Sequence, residues 1–436
     1  MAAAFALPLF FLELSCVKYQ AHDLNPVRTE QQFRARSLGR PLNRGTLTKY
    51  ALEFSPALAV ARSKIAVAEA ALQTAHQRIN PSLSAEGGYN RTPESVATYA
   101  VSPAFTIETA GKRGYRILEA EKVAEAARIA VYEEEWRVRS GLNQTLVNYW
   151  AAQRRMATLQ TELALRDEIV SIYEKRVSLG EASNPESSAA RADRASTNLS
   201  ISVADNEIAH ALAAVADAAS LPAAALDGKS VDVTGLDNAV LTEAPPVLSV
   251  QKAGLLHRAD VRRSLIEYEA AEARLRLALA NQYPNITLSP AYAFQEGFPA
   301  YTLGSVIESL PVFHRNQGPI AEQEALRQQL ETQFSALEAK IVGETDLALR
   351  RYNTSVREWR EAQDKVTALQ QQREDAVMVA FRAGDKDRLD VAQARLETLT
   401  ARRSQTEALI RAQNALLSLE DAVQSEIAPN RPETTN

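Results

Sequence analysis

The chain has 436 residues, 49 of them Lys or Arg and 54 Asp or Glu, for a formal net charge of -5 at neutral pH. Both signs of charge are spread along its length without a basic cluster, which argues against a phosphate backbone, and so nucleic acid, as a partner. Glycine is low at 16 and aromatic residues make up 6%, while Ala, Glu, Gln, Arg and Leu fill most of the length, the bias of long helices packed along narrow seams.

Residues 1–16 contain an apolar run, FALPLFFLELSC, that reads as a short secretory signal ending at a lipid-acceptor cysteine, Cys16. Glu13 stands where a lipobox wants an aliphatic residue, and a misassigned start with an incidental cysteine is the alternative. Cys16 is the only cysteine, so neither an intramolecular disulfide nor a cysteine metal cage can form. No other stretch approaches the ~20 apolar residues of a spanning helix, which leaves any crossing of a bilayer to strands. Residues 17–45 are expected to be extended.

The remainder of the chain is a tandem repeat, 46–221 and 248–427, joined by an equatorial connection at 222–247. Leu58 and Val261, like Pro81 and Pro284, are 203 apart; Gly114 and Gly318, like Gly180 and Gly384, are 204 apart. Each unit predicts a helix, two strands, a long helix, a turn and a second long helix. The first helix is expected from about Thr46 to Ile79 and its copy from about Leu248 to Gln282, each stopped by an Asn/Pro signal. Alternating, β-branched or aromatic stretches at about 82–108 and 285–310 predict the strand pairs. From Arg113 to Ser178 only Gly141 interrupts the pattern, and ~65 residues of helix would reach roughly 100 Å. Val138, Leu142, Thr145 and Tyr149 form its stripe. Ile201, Ile208 and Val215, and again Leu409, Leu416 and Val423, recur at sevens, which marks coiled-coil seams on the return helices. The turns between long helices fall at about 176–188 and 381–394, and the tail 428–436 is expected to be disordered. The fold class is therefore mainly α with a small membrane β part.

Four strands cannot close a barrel, and lipid tolerates no open sheet edge, so copies of the chain would have to pool their hairpins. Bacterial barrels have even strand counts from about eight upward; two copies would meet that number and three would exceed it. Tyr89, Tyr99, Tyr292 and Tyr301 near the strand ends suit an aromatic girdle. A surface hairpin clear of any membrane is the alternative.

Two stretches stand where a strand gives way to a long helix: SPAFTIETAGKRGYR (Ser102 to Arg116) and LPVFHRNQGPI (Leu310 to Ile320). Together with the repeat, from about Thr46 to Ile427, they give the chain a resemblance to the TolC family of outer-membrane efflux channels. ETAGKRGYR is similar to an E-x-G-G-K-R segment, and LPVFHRNQG to a P-x-F-x-R-N-Q-G segment, of the cobalt-zinc-cadmium type components that serve heavy-metal pumps of the resistance-nodulation-division (RND) class; Ala110 replaces the usual first glycine.

The resemblance implies a lipid-anchored homotrimer in the outer membrane, with a twelve-stranded barrel continuing into a periplasmic tunnel of helices. Its partners would be a periplasmic adaptor (membrane fusion protein) and an inner-membrane RND pump, and it would passively conduct heavy-metal cations to the exterior. At the strand–helix junctions, Gly111, Lys112, Arg113 and Gly114, and Pro311, Arg315, Asn316, Gln317 and Gly318, the proline is expected to end the ladder and Gly111, Gly114 and Gly318 to permit the turn. Lys112, Arg113 and Arg315 suit a polar boundary or are plain solvated charge. Val177, Leu179, Gly180, Phe381 and Gly384 at the tips would dock the adaptor, although Gly180 and Gly384 also serve simply as helix caps. Asp390 matches a pore-facing acidic position of the family's gate, Gln393 holds the second such position, and Lys386 and Arg388 are the charged neighbours; a capping or solvated aspartate is the alternative.

The histidines, His22, His76, His210, His257 and His314, are scattered, and no phosphate-cradling loop occurs, so neither an enzyme, a cofactor nor a resident metal site is expected. His314, beside the R-N-Q-G turn, reads as structural. The same channel carrying drugs, organic compounds or a secreted protein, and a periplasmic coiled-coil scaffold without a pore, are the rival readings.

Overall fold

The computed structural model describes residues 19–36, 41–89, 97–237, 241, 246–295 and 298–427. Cys16, the strand-pair tips and the tail 428–436 lie outside the described residues. Helix α1, Pro26–Arg34, corrects the extended reading of 17–45: Asn25 accepts the Arg28 amide at 3.1 Å and Pro26 supplies a preset φ at the first helical position.

The two units then run in parallel. In the first, α2 (Arg44–Phe54) and α3 (Pro56–His76) lead into β1 (Ser82–Tyr89) and β2 (Ala97–Ile107), then α4 (Lys112–Ser178) and α5 (Asn184–Ala218). In the second, α6 (Val247–His257) and α7 (Ala259–Ala280) lead into β3 (Ile286–Gln295) and β4 (Phe298–Ile307), α8 (Gln317–Glu361), a π turn (Ala362–Thr367), α9 (Ala368–Ala383) and α10 (Arg388–Val423). The connection between units carries two single-turn 3₁₀ segments and a parallel bridge from Asp232 to Asn43.

Each expected leading helix is in fact two. Ser55 caps α3, accepting the Leu58 amide at 3.3 Å, and Pro56 behind it has no N–H to continue α2. Arg258 takes the equivalent place, its extended backbone (ψ 133°) held by its own side chain. Gly141, by contrast, does not interrupt α4, whose 67 residues make a rod of roughly 100 Å. The equivalent run Gln317–Ala383 has the same length and contains the π turn, where Thr367 donates its hydroxyl to the Ala362 carbonyl at 3.0 Å and meets Gln405 at 3.2 Å.

Each unit has its own core at the level of the connection. One gathers Leu47, Leu142, Tyr149, Val215 and Leu226; the other gathers Val250, Leu349, Tyr352, Leu416 and Leu419. A fully buried leucine such as Leu47 or Leu142 contributes about 2 kcal/mol. Helix α4 joins the units, packing on both α7 and α10.

All four strands form one antiparallel sheet in the order β1-β2-β3-β4, with the two units meeting at β2 and β3. The outer edges of β1 and β4 are unpaired among the described residues. Between the pairs Val101–Tyr292 and Phe105–Leu288 the β2–β3 ladder lapses, and the register sets Pro103 opposite Pro290 in that gap. Neither proline has an N–H to give, and the Ser102 hydroxyl reaches the Pro290 carbonyl at 3.3 Å instead.

Candidate functional site

Three parts of the molecule carry the sequence-predicted residues: the sheet, the junctions below it and the helical tips at the other end. The sheet register sorts its side chains by face. On one face lie Leu83 of β1; Tyr99, Val101, Phe105 and Ile107 of β2; Ile286, Leu288, Tyr292 and Phe294 of β3; and Tyr301, Leu303 and Ile307 of β4. The other face carries Ser82, Ser84, Glu86, Gly88, Thr98, Ala100, Ser102, Thr106, Thr287, Ala291, Ala293 and Thr302, with Phe298 at the loop end and Val306 near the junction end as its larger apolar residues. One side is thus apolar and exposed to the surroundings of the protomer, with Leu83 69%, Tyr301 81% and Leu303 72% accessible, and the other is mostly small and polar. Tyr99 stacks on Phe294 at 5.3 Å between centroids and Tyr292 meets Tyr301 at 5.3 Å, which gathers the aromatics toward the loop end of the apolar face. A lipid-facing band flanked by aromatics, backed by a polar inner surface, is the pattern of a membrane barrel wall. No helix among the described residues is long and apolar enough to cross a membrane.

Below the sheet, the two junctions are built to bind the end of the preceding helix. Ala110 and Gly111 both take left-handed backbone (φ 55° and 74°), Gly111 capping α4. In the second unit the left-handed cap is Asn316 (φ 60°), whose side chain also donates to the Ala278 carbonyl at the end of α7, at 2.7 Å. Gly114 and Gly318, expected to make these turns, instead lie inside the first helical turn, where a Cβ would meet nothing within 4 Å. Pro311 does not end the ladder either, since the last β4 pair is Ile307 with Ile286 and the proline follows in an exposed linker.

Of the expected boundary cations, Lys112 is only 8% exposed. Its ammonium donates to the Tyr283 carbonyl at 2.6 Å and Asn285 Oδ1 at 2.7 Å, which ties the first unit to the second just beneath β3. Burial draws its pKa below the ordinary lysine value, outweighing the pull of Glu108 and Glu308. Arg113 donates to the His76 carbonyl at 2.7 Å. Arg116 adds bonds to the Ala75 and Gln77 carbonyls and a pair with Glu108 at 2.6 Å, so two guanidiniums cap the negative end of α3. At the second junction Arg315 gives no such cap: it is exposed, and only its backbone amide is engaged, by Gln317 Oε1 at 2.8 Å. Sequence reasoning missed Arg116 and Thr109, whose hydroxyl binds the Pro284 carbonyl at 2.7 Å; their signal was position, one helical turn after Lys112 and just before Gly111.

At the tips, Gly180 (φ 77°) and Gly384 (φ 87°) end α4 and α9 in left-handed conformation. In both, the next residue closes a six-residue loop, Glu181 to Arg176 at 2.8 Å and Asp385 to Ala380 at 3.0 Å. The following helices start with reciprocal caps, Ser183 with Glu186 and Asp387 with Asp390. The Asp390 carboxylate accepts the Asp387 amide at 3.1 Å and the Lys386 ammonium at 3.2 Å, so it serves the cap within its own protomer. Gln393 and Arg388 are exposed, Leu179 is 63% exposed, and Val177 and Phe381 are half-buried. Arg176 pairs with Asp387 and joins the two tips, a link that sequence spacing does not signal. Replacing Gly384 by Ala is expected to cost about 1–2 kcal/mol, the penalty of a side chain in left-handed backbone. Hydrogen exchange at 380–390 should quicken while exchange in the core near Tyr352 stays unchanged.

Among the described residues no three of His, Cys, Asp or Glu come together in a way that could hold a metal ion.

No protein-family model matches the chain. It is 27% identical over 319 residues, 71% of this chain and 73% of the relative, to the cobalt-zinc-cadmium resistance protein CzcC of Cupriavidus metallidurans. The outer membrane protein VceC of Vibrio cholerae superposes with a TM-score of 0.70 at 20% identity, covering 88% of this chain and 96% of that one. The CmeC outer membrane channel of Campylobacter jejuni superposes with a TM-score of 0.69 at 17% identity, covering 95% of each. The chain is thus similar to a metal-resistance protein in sequence and shares the fold of outer-membrane channel proteins, in line with the resemblance read from its repeat and junction motifs.

Proposed function

We propose that the chain is the outer-membrane component of a tripartite efflux system, a passive conduit from a periplasmic adaptor and an inner-membrane RND pump to the exterior, with heavy-metal cations as cargo. The observation that carries this reading is the sheet: one apolar face, one mostly small and polar face and, among the described residues, two unpaired edges in one protomer. Open edges in lipid would each leave a row of backbone groups without partners. Three copies, each bringing a four-stranded sheet, close a barrel of twelve strands and remove every edge. The long helices then continue the wall as a tunnel. The similarity to CzcC supports the metal cargo.

On this reading the tips around Val177, Leu179, Gly180, Phe381 and Gly384 meet the adaptor, and Asp390 with Lys386 and Arg388 lines the closed end. The Asp387–Asp390 cap ties that carboxylate to the start of α10, so opening by the adaptor would move the acidic group together with its helix. Cys16 is the lipid acceptor.

Purified protein in planar bilayers should show discrete conductance steps and should run as a heat-sensitive trimer. A soluble monomer or dimer without conductance would eliminate the channel and leave the scaffold. A host lacking the gene should become sensitive to particular ions among zinc, cobalt, cadmium, copper and silver; sensitivity to drugs and detergents alone would retain the channel and remove the metal cargo.

A further inference from the structure

The four strands carry one formally charged side chain, Glu86 on β1. The register sets it on the small, polar face, opposite Ala100, and the row continues through Ala293 on β3 to Ala300 on β4. Three alanines beside it leave nothing to cover the carboxylate, and its neighbours along the strand on that face are Ser84 and Gly88. Glu86 is exposed and has no hydrogen bond or ion pair among the described residues. Among the described residues, every other carboxylate or cation near the sheet lies past its ends, where Glu308, for example, binds the Thr106 and Thr287 hydroxyls. One strand step away, Gly87 pairs with Tyr99, so Glu86 stands level with the aromatic cluster at the loop end of the opposite face.

We propose that Glu86 is a charge-selecting group of the barrel lumen: the copies from each protomer form a ring of free carboxylates just inside the outer mouth, favouring hydrated cations over anions. This rests on the channel reading above. The uncharged residues that share its face add no competing fixed charge on the strands, so this ring sets the local potential there. The residue could not face lipid without cost, but orientation alone predicts no effect on conduction, and that separates a selecting ring from mere solubility.

The test is reversal potential in planar bilayers under a potassium chloride gradient at low salt, comparing the wild type with Glu86→Gln and Glu86→Lys. The Gln variant should lower the cation-to-anion permeability ratio by about two-fold or more, and Lys should lower it further. The differences should fade toward 1 M salt, where the Debye length falls to about 3 Å. In a Cys16→Ser background, Glu86→Cys should react with membrane-impermeant methanethiosulfonates, while Ala85→Cys, on the apolar face, should not. An anionic reagent should return the cation preference and a cationic one should reduce it. Equal reversal potentials for wild type and Glu86→Gln in a conducting channel would overturn the proposal and leave the channel standing. A wild type without conductance would overturn both.

Discussion

Replacing Arg258 by Ala is expected to destabilise the protein by about 3–5 kcal/mol, the cost of stripping one partner from a buried charged network. Arg258 is 7% exposed and sits between α6 and α7. Its guanidinium donates twice to Asp260, at 3.0 and 2.7 Å, once to the Ala422 carbonyl at 2.9 Å near the end of α10, and reaches Glu344 of α8 at 3.3 Å. One side chain therefore joins three helices, and its removal strips the Asp260 carboxylate of its charged partner, leaving it the Val261 amide alone, and takes a donor from the Ala422 carbonyl. A fall in the urea midpoint of the detergent-solubilised protein would measure the loss. Arg258→Lys should recover only part of it, because a point charge cannot reproduce the paired geometry.

The same network gives a pH signature. Burial alone would raise the Asp260 pKa, but the hydrogen bonds and charge of Arg258, with the Val261 amide, outweigh it and hold the group below the ordinary carboxylate value. Because the folded value lies below the unfolded one, the contribution is present above about pH 4 and is lost as pH falls through the folded value. Wild-type stability should therefore decline more steeply below about pH 4 than that of Asp260→Asn, which has nothing there to titrate. Parallel acid profiles for the two proteins would refute the assignment.

Replacing Lys112 by Met should cost about 2–3 kcal/mol, since the Tyr283 carbonyl and Asn285 Oδ1 each lose a charged donor in a confined place. The unfolding midpoint should drop, and protease cleavage near 108–111 should accelerate because the staple between units is gone. Arg315→Met provides the control: its exposed side chain has no partner among the described residues, and its effect should stay within about 0.5 kcal/mol. A similar loss from both variants would mean that charge density at the boundary, rather than these two bonds, holds the junction.

The duplication and the strand alternation were legible because both are periodic signals that survive in any one sequence. Leu58 with Val261 and the odd-numbered apolar residues of β2 needed no partner to be recognised. The breaks at Ser55 and Arg258 were harder. Pro56 was a visible break signal that the apolar periodicity on either side of it masked, while Arg258 halts a helix only through contacts with residues as distant as Ala422. The same difficulty hid the true turning residue of the second junction. Glycine is the usual sign of left-handed backbone, and Gly318 drew attention from Asn316, whose conformation is supported by a bond to Ala278 that only the fold supplies. The π turn at Ala362–Thr367 leaves no mark in the periodicity of so polar a stretch.

The meeting of β2 and β3 also sets an order of events during biogenesis. The Thr106 and Thr287 hydroxyls touch at 2.9 Å but are 181 residues apart in the chain. At about 5–20 residues per second of synthesis, the first strand pair waits roughly 10–40 s before its neighbour exists. A lone two-stranded hairpin is marginal in water, and this one has an apolar face to shield meanwhile. The α4–α5 hairpin, whose contacts are nearer in sequence, can form at once. The nascent chain is thus a finished rod carrying an unfinished sheet, which makes the strand pairs the part that a holding chaperone must protect until assembly.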